Sequence, residues 1–212
     1  MYQPPHFEET QPEAVRGLIS GRPLGTLVTV GADGINANHI PFLYEPQTGE
    51  RGALIGHVAR NNVVWRDHNP DVDSLIIFQG PSAYISPNWY QSKQETHEVV
   101  PTYNYAVVHV YGKLIIHDDP KWVRGIVGKL TKAMEAAQPK PWRMAEAPAA
   151  FIASQIENIV GIEIAIVRVF GKWKVSQNRP LADRQGAIQG LRTRGESEEE
   201  AMAQLIEDIV PK

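Results

Sequence analysis

The sequence predicts a mainly β domain with flanking helices, opening on an antiparallel meander of the kind that starts a barrel or curved sheet. Three β-rich runs, Leu24–Val30, Ile35–Tyr44 and Ala53–His57, are separated only by the turns Gly31-Ala-Asp-Gly34 and Pro46–Gly52. A longer run from near Tyr105 to about His117 alternates. Ala106, Val108, Val110, Leu114 and Ile116 fall on one face, with Gly112 the gap, and Tyr105, His109, Tyr111, Lys113 and His117 on the other. One face is core. The other is a row of rings and hydrogen-bonding groups, suited to a flat polar ligand or a subunit partner.

Taken in order, Thr10-Gln-Pro-Glu13 is a capping-box pattern ahead of Val15, Leu18 and Ile19, which predicts a short helix ending near Gly21. After the meander, Asn61 or Asn62 caps a short helix beginning at Val63, Val64 and Trp65. An arginine beside free N–H groups at such a start favours an anion, so Arg60, with His57 at the strand end, is a candidate phosphate corner. The run Leu75–Phe78 is a strand expected to stop at the turn signal Gly80-Pro81. Asp119 as N-cap and Pro120 at the first position open a strong helix, with Trp122, Val123, Ile126, Val127, Leu130 and Met134 as its buried stripe. A second helix spans about Ala149–Asn158, a strand Val160–Phe170, and a basic, amide-rich turn Gly171–Arg179. Pro180–Lys212 reads as two helices broken near Gly195. The expected organisation is one domain over residues 1–179 and a helical tail, 180–212, packed on it.

Between the two central strands lies a loop with Tyr84, Ser86, Trp89, Tyr90, Ser92, Lys93, Thr102, Tyr103 and Asn104. Aromatic plates interleaved with hydroxyls, an amide and an ammonium suit a heteroaromatic phosphate, and the same rings would equally serve to cover a barrel mouth.

Composition removes several function classes. The 212 residues carry a net charge of −3, which gives no electrostatic case for nucleic acid or an anionic membrane. There is no cysteine, hence no disulfide, thiol nucleophile or thiolate metal site. No apolar run approaches the ~20 residues of a membrane span, and the first residues lack the pattern of a signal peptide, so a cytoplasmic protein is expected. No Gly-x-Gly-x-x-Gly follows a strand, and His-Glu-x-x-His and Gly-x-Ser-x-Gly are absent.

Several ordered motifs carry a resemblance: Pro23-Leu-Gly-Thr-Leu, Ala37-Asn-His-Ile-Pro-Phe42, Gly56-His-Val-Ala-Arg-Asn61, Phe78-Gln-Gly-Pro, Ala83-Tyr-Ile-Ser-Pro-Asn-Trp-Tyr90, Val100-Pro-Thr-Tyr-Asn-Tyr105 and Gly171-Lys-Trp-Lys-Val-Ser-Gln-Asn-Arg179. Over about Met1 to Leu191 the chain resembles the PaiB-type family, often labelled FMN-binding negative transcriptional regulators, within the flavin-binding split-barrel superfamily. The resemblance implies a six-stranded antiparallel split β-barrel and a homodimer binding FMN at the subunit interface. It implies a phosphate grip by His57, Arg60 and Asn61. Around the ring or ribityl chain it suggests Tyr84, Ser86, Trp89, Thr102 and Asn104, with His39 and Lys93 in the same cofactor set. Lys172, Lys174, Ser176 and Gln177 are expected from the partner subunit. Tyr103 stands where the family often has Trp, Glu146 where Asp is common, and Asn88 where Ser is frequent.

The resemblance implies an FMN-dependent oxidoreductase acting on a small molecule, in which the cofactor does the redox chemistry. No catalytic side chain is nominated, though His39 and His109 are the candidate proton donors. The alternative is a transcriptional regulator. Direct DNA contact is disfavoured because the tail's second helix carries Glu196, Glu198, Glu199, Glu200, Glu207 and Asp208, so regulation would run through ligand, redox state or a partner. A haem protein is a further alternative, without a histidine spacing that singles out an axial ligand.

Overall fold

The computed structural model describes residues 1–209; the last three residues of the expected tail lie outside that range. The chain forms two compact units. One comprises residues 19–78 and 109–169, the other residues 1–18, 79–108 and 170–209 of the described chain.

The unit of residues 19–78 and 109–169 carries the meander. Strands β2 (Leu24–Gly31) and β3 (Gly34–Pro41) form a hairpin, with Gly31 opposite Gly34. Gly34 turns the chain at φ +102°, open to glycine at little cost. The returning run breaks at buried Phe42, so that β4 (Leu43–Glu45) leaves β2 and pairs instead with β5 (Ala53–Ala59). With β6 (Ser74–Ile85), β7 (Thr102–His117) and β8 (Ile159–Lys174), the strand order is β3-β2-β6-β7-β8-β5-β4. Antiparallel register joins Ala53–Ala59 of β5 to Ile159–Ala165 of β8. Seven strands therefore stand on this path where six were expected.

Helix α3 (Pro120–Glu135) follows β7, its Asp119 cap accepting a hydrogen bond from the Trp122 N–H at 2.7 Å. Ile126 and Leu130 pack on Ile55 of β5, while Val123 packs on Ile152 and Ile156 of α4 (Ala149–Glu157). Full burial of one such side chain contributes ~1.5–3 kcal/mol. Met134, expected in the buried stripe, is 45% exposed.

In the other unit, α1 (Pro12–Gly21) begins in residues 1–18, and the two-residue strand β1 (Glu8–Glu9) pairs with β8 at Lys172 and Gly171. The short helix α2 (Ser92–Thr96) lies between β6 and β7. Helices α5 (Leu181–Arg194) and α6 (Ser197–Asp208) pack together through buried Leu191, Met202 and Ile206, and Gly195 ends α5 at φ +74°. Two expectations are corrected here. Gly80-Pro81 does not stop β6: the β2 register ends at Ile77, so the proline interrupts no bond on that flank. Gly171–Lys174 is not a turn but the end of β8, with the turn following at Ser176 (φ +65°).

Candidate functional site

The corner at the end of β5 is built by sequence-local signals. Asn62 is the cap, its side chain accepting from the Val64 N–H at 3.0 Å while its amide donates to Asn38 Oδ1 of β3 at 2.7 Å. The adjacent turn, residues 63–65, presents the Trp65 indole, whose Nε1–H donates to the Arg60 carbonyl at 2.9 Å.

Arg60 is fully engaged. Its guanidinium donates to both Asp118 oxygens, at 2.6 and 3.0 Å, and to the carbonyls of Glu157 and Ile159 at 2.6 and 3.2 Å. The Arg60 guanidinium holds the Asp118 carboxyl below the usual carboxylate range. Asp118 carried no local motif. It meets Arg60 only because β7 and β5 end at the same place, so sequence reasoning missed it. Arg66 lies over the other ring neighbour, its guanidinium 4.1 Å from the Trp65 centroid.

His57, one strand turn before Arg60, is half-buried, and its Nδ1 is a buried ring nitrogen without a hydrogen-bond partner among the described residues. Burial lowers its pKa below 6.5, so the ring is neutral at pH 7. His109 shows the same orphaned Nδ1 and a pKa lowered chiefly by burial. Asn61 and His39 are exposed, His39 lying on β3 opposite Thr26 of β2.

The other unit gathers most of the remaining predicted residues. Lys172 is only 6% exposed, yet its ammonium meets the Tyr2 carbonyl at 3.0 Å and the faces of Tyr2 and Tyr105, with no carboxylate among the described residues. Lys174 donates to the Thr102 hydroxyl and the Tyr103 carbonyl. Its pKa is lowered, first by burial and then by repulsion from Lys172 and Arg179. Asn104, 1% exposed, donates to the Ser176 hydroxyl at 2.9 Å. Tyr84 meets Tyr103 edge-on, with centroids 5.9 Å apart.

Other predicted residues are spent locally. Gln177 receives the Val175 N–H and donates to the Trp173 carbonyl, closing the turn. Ser86 caps the short turn that leads to Trp89, and Lys93 donates to Asn88. The Trp89 indole lies against α5: a Cβ at Gly186 would fall 1.9 Å from its carbonyl oxygen, and one at Gly190 2.2 Å from its ring. The sequence pass overlooked two contacts of this region. Asp183, 1% exposed, accepts from the Ser92 N–H at 2.9 Å and hydroxyl at 2.7 Å, and Arg179 stacks 4.7 Å over the Tyr90 ring.

Two ammonium groups held in protein without an acid among the described residues form a donor set suited to a phosphate or another oxyanion. The orphaned His57 nitrogen is a second unsatisfied polar group of the kind a ligand completes. Each of these features, within its own unit, is of a kind that fits a group a flavin nucleotide carries. Among the described residues no group of three His, Asp or Glu side chains is placed to hold a metal ion, and no helix is long and apolar enough to cross a membrane.

Comparison with known structures places the fold. The chain is similar to the flavocytochrome Anf3 from Azotobacter vinelandii at 11% identity, with a TM-score of 0.57 over 79% of this chain and 69% of that one. It is also similar to the conserved hypothetical protein Rv2991 from Mycobacterium tuberculosis, at 11% identity and a TM-score of 0.58 over 85% and 94% of the two chains. The class is thus the antiparallel split barrel, mainly β with flanking helices.

Residues 1–168 match the family described as "Putative FMN-binding domain", and the chain belongs to it. Within that family it is 31% identical, over all 212 residues and 99% of the relative, to the Protease synthase and sporulation protein PAI 2 of Bacillus subtilis. PaiB-type kinship is thereby established, and FMN is the cofactor that family membership assigns to the chain.

Proposed function

We propose that this protein is an FMN-dependent oxidoreductase acting on a small molecule, working as a cytoplasmic homodimer. The observation that carries the reading is the pair Lys172 and Lys174, ammonium groups sheltered in protein with no acid to neutralise them among the described residues. FMN, when bound, supplies the hydride and electron transfer. The chain's own residues bind, orient and exclude water.

His57, Arg60 and Asn61 form the phosphate end of this proposal. Arg60 acts there as a strut: its four bonds to Asp118, Glu157 and Ile159 fix the turn that presents Asn61 and Asn62. His39, Tyr84, Ser86, Trp89, Lys93, Thr102 and Asn104 are the further residues proposed to serve the cofactor. Lys172, Lys174, Ser176 and Gln177 serve the flavin of the second copy. His57 and His109, their pKa values lowered chiefly by burial, would offer neutral imidazoles as hydrogen-bonding partners rather than cations.

A regulatory role, if the protein has one, runs through ligand, redox state or a partner. Arg192 is paired to Glu200 at 3.1 Å and Glu207 at 2.8 Å, and Arg194 to Glu199 at 2.9 Å, so two of the three arginines of α5 are already neutralised by α6, while Arg184 donates to the Ile209 carbonyl. Tight, salt-sensitive DNA binding by the pure protein would overturn that.

The test is the visible spectrum of the purified protein before and after FMN and gel filtration, with the mass from sedimentation. Flavin bands that travel with a dimer support the proposal; a colourless protein that ignores FMN refutes it, and a Soret band would favour haem instead. Arg60→Ala and Asp118→Ala separate the roles at the phosphate end. Both weaken FMN binding if Arg60 is a strut, whereas Asp118→Ala leaves affinity intact or raises it if Arg60 grips the phosphate itself.

A further inference from the structure

Helix α3 and the segment returning from it enclose a cavity of about 460 Å³, lined by no residue of the cofactor set. One wall is Gly128, Thr131, Lys132 and Glu135 of the helix. The other is Pro141, Trp142, Arg143 and Met144. Its volume falls in the ~300–1,000 Å³ range of small-molecule sites. The walls are chiefly the indole, the thioether, the proline ring and a bare stretch of helix at Gly128.

Three features define what fits. Trp142 is 43% exposed although it lines the cavity, so its apolar face is only half covered by protein. Lys132 and Arg143 form no ion pair among the described residues. Glu135, the acid in the lining, is occupied: its Oε2 accepts the Trp142 N–H at 2.9 Å, which ties the returning segment to the helix. The cavity is therefore an apolar slot with two free cations and one committed carboxylate at its rim. Such a site attracts an anionic head and buries an apolar body.

We propose that this cavity binds an amphipathic organic monoanion, an aromatic or short-chain carboxylate or sulfonate, with Lys132 and Arg143 receiving its head and Trp142 and Met144 its body. The site is independent of the flavin reading and survives if that reading fails. Gly128 keeps it open. A Cβ there would sit 3.8 Å from the Met144 methyl, an ordinary contact, so a larger side chain is tolerated by the backbone while filling the slot.

The probe is 8-anilinonaphthalene-1-sulfonate, read by its fluorescence with the full-length protein and by calorimetry. Its uncharged relative N-phenyl-1-naphthylamine serves as comparison. The expected result is saturable binding at one site per chain. Lys132→Glu and Arg143→Glu should each weaken it at least tenfold, Lys132→Arg should retain it, and Gly128→Leu should abolish it with thermal stability unchanged or raised. FMN binding should be the same in all four variants. Equal binding of the uncharged dye, or sulfonate affinity indifferent to the two charge reversals, would overturn the proposal by showing a merely apolar cleft. A Gly128→Leu variant that changes the sedimentation mass would also overturn it, because the slot would then be a contact between copies of the chain.

Discussion

Gly112 interrupts the apolar face of β7, and the structure shows why no side chain stands there. A Cβ built on it would lie 2.2 Å from the Ala165 carbonyl oxygen of β8, 2.8 Å from Ile164 Cγ2 and 2.9 Å from the Ala165 carbonyl carbon. Carbon and oxygen settle at ~3.3–3.6 Å, so Gly112→Ala must drive the two strands apart by about 1 Å. Ladder bonds near ~2.9 Å do not survive that stretch. Losing one or two of them at ~1 kcal/mol each, together with ~1–3 kcal/mol of overpacking, gives a destabilisation of about 3 kcal/mol. For a chain of this length that corresponds to a fall in Tm of about 6–12 °C. The assay is urea unfolding followed by tryptophan fluorescence, in which the midpoint should fall with the slope unchanged. A loss under ~0.5 kcal/mol would refute the reasoning, since it would mean that the strands can part without cost.

Other expectations follow from the same geometry. Gly125→Ala, on an exposed helical position with nothing within 4 Å of the new methyl, should stabilise by ~0.5–1 kcal/mol in the same titration. Asp183→Ala strands a half-buried N–H and hydroxyl of Ser92 and should cost ~1–2 kcal/mol, with Asp183→Asn milder because it keeps an acceptor; equal losses would sink that account. His57 has a folded pKa lowered by burial from 6.5. The unfolded chain therefore takes up the proton first, and stability complete above about pH 6.5 is lost as pH falls through that value. Tm measured from pH 8 to 5 should fall more steeply in the wild type than in His57→Gln, with His109 leaving a residual slope of the same sign. Parallel curves would discount His57.

Where a signal is local, the chain announces its own structure. Asp119-Pro120 opens α3 because a carboxylate accepts a free N–H and a proline lacks one at the same place. Asn62 caps the turn after β5 for the same reason, and the alternation of β7 placed Ala106, Val108, Val110 and Leu114 correctly on the buried face, although Val107 is buried as well and Ile116 is only half-buried. The ordered motifs from Pro23 to Arg179 were enough to reach the family and its cofactor. Local signals failed where long-range pairing outvoted them. Gly80-Pro81 reads as a turn, yet the strand runs on, and Gly80 marks where Leu18 and Ala106 approach within 2.8 and 3.0 Å of a Cβ. Gly171–Lys174 reads as a basic turn, yet β1 pairs with it.

Charge compensation was the part that only the tertiary structure decided. Arg60 looks like a free phosphate ligand in sequence, but Asp118, 58 residues away, neutralises it. Lys172 and Lys174 read as lysines of a basic turn reaching a partner's cofactor, but folding shelters them among Tyr2, Tyr105 and Thr102 without an acid among the described residues. Residue types and spacing determine which strands and helices form and what kind of ligand they suit. Which cations remain free to bind one depends on partners brought together from distant parts of the chain, because an ion pair is a matter of ångströms in space and not of positions along the sequence.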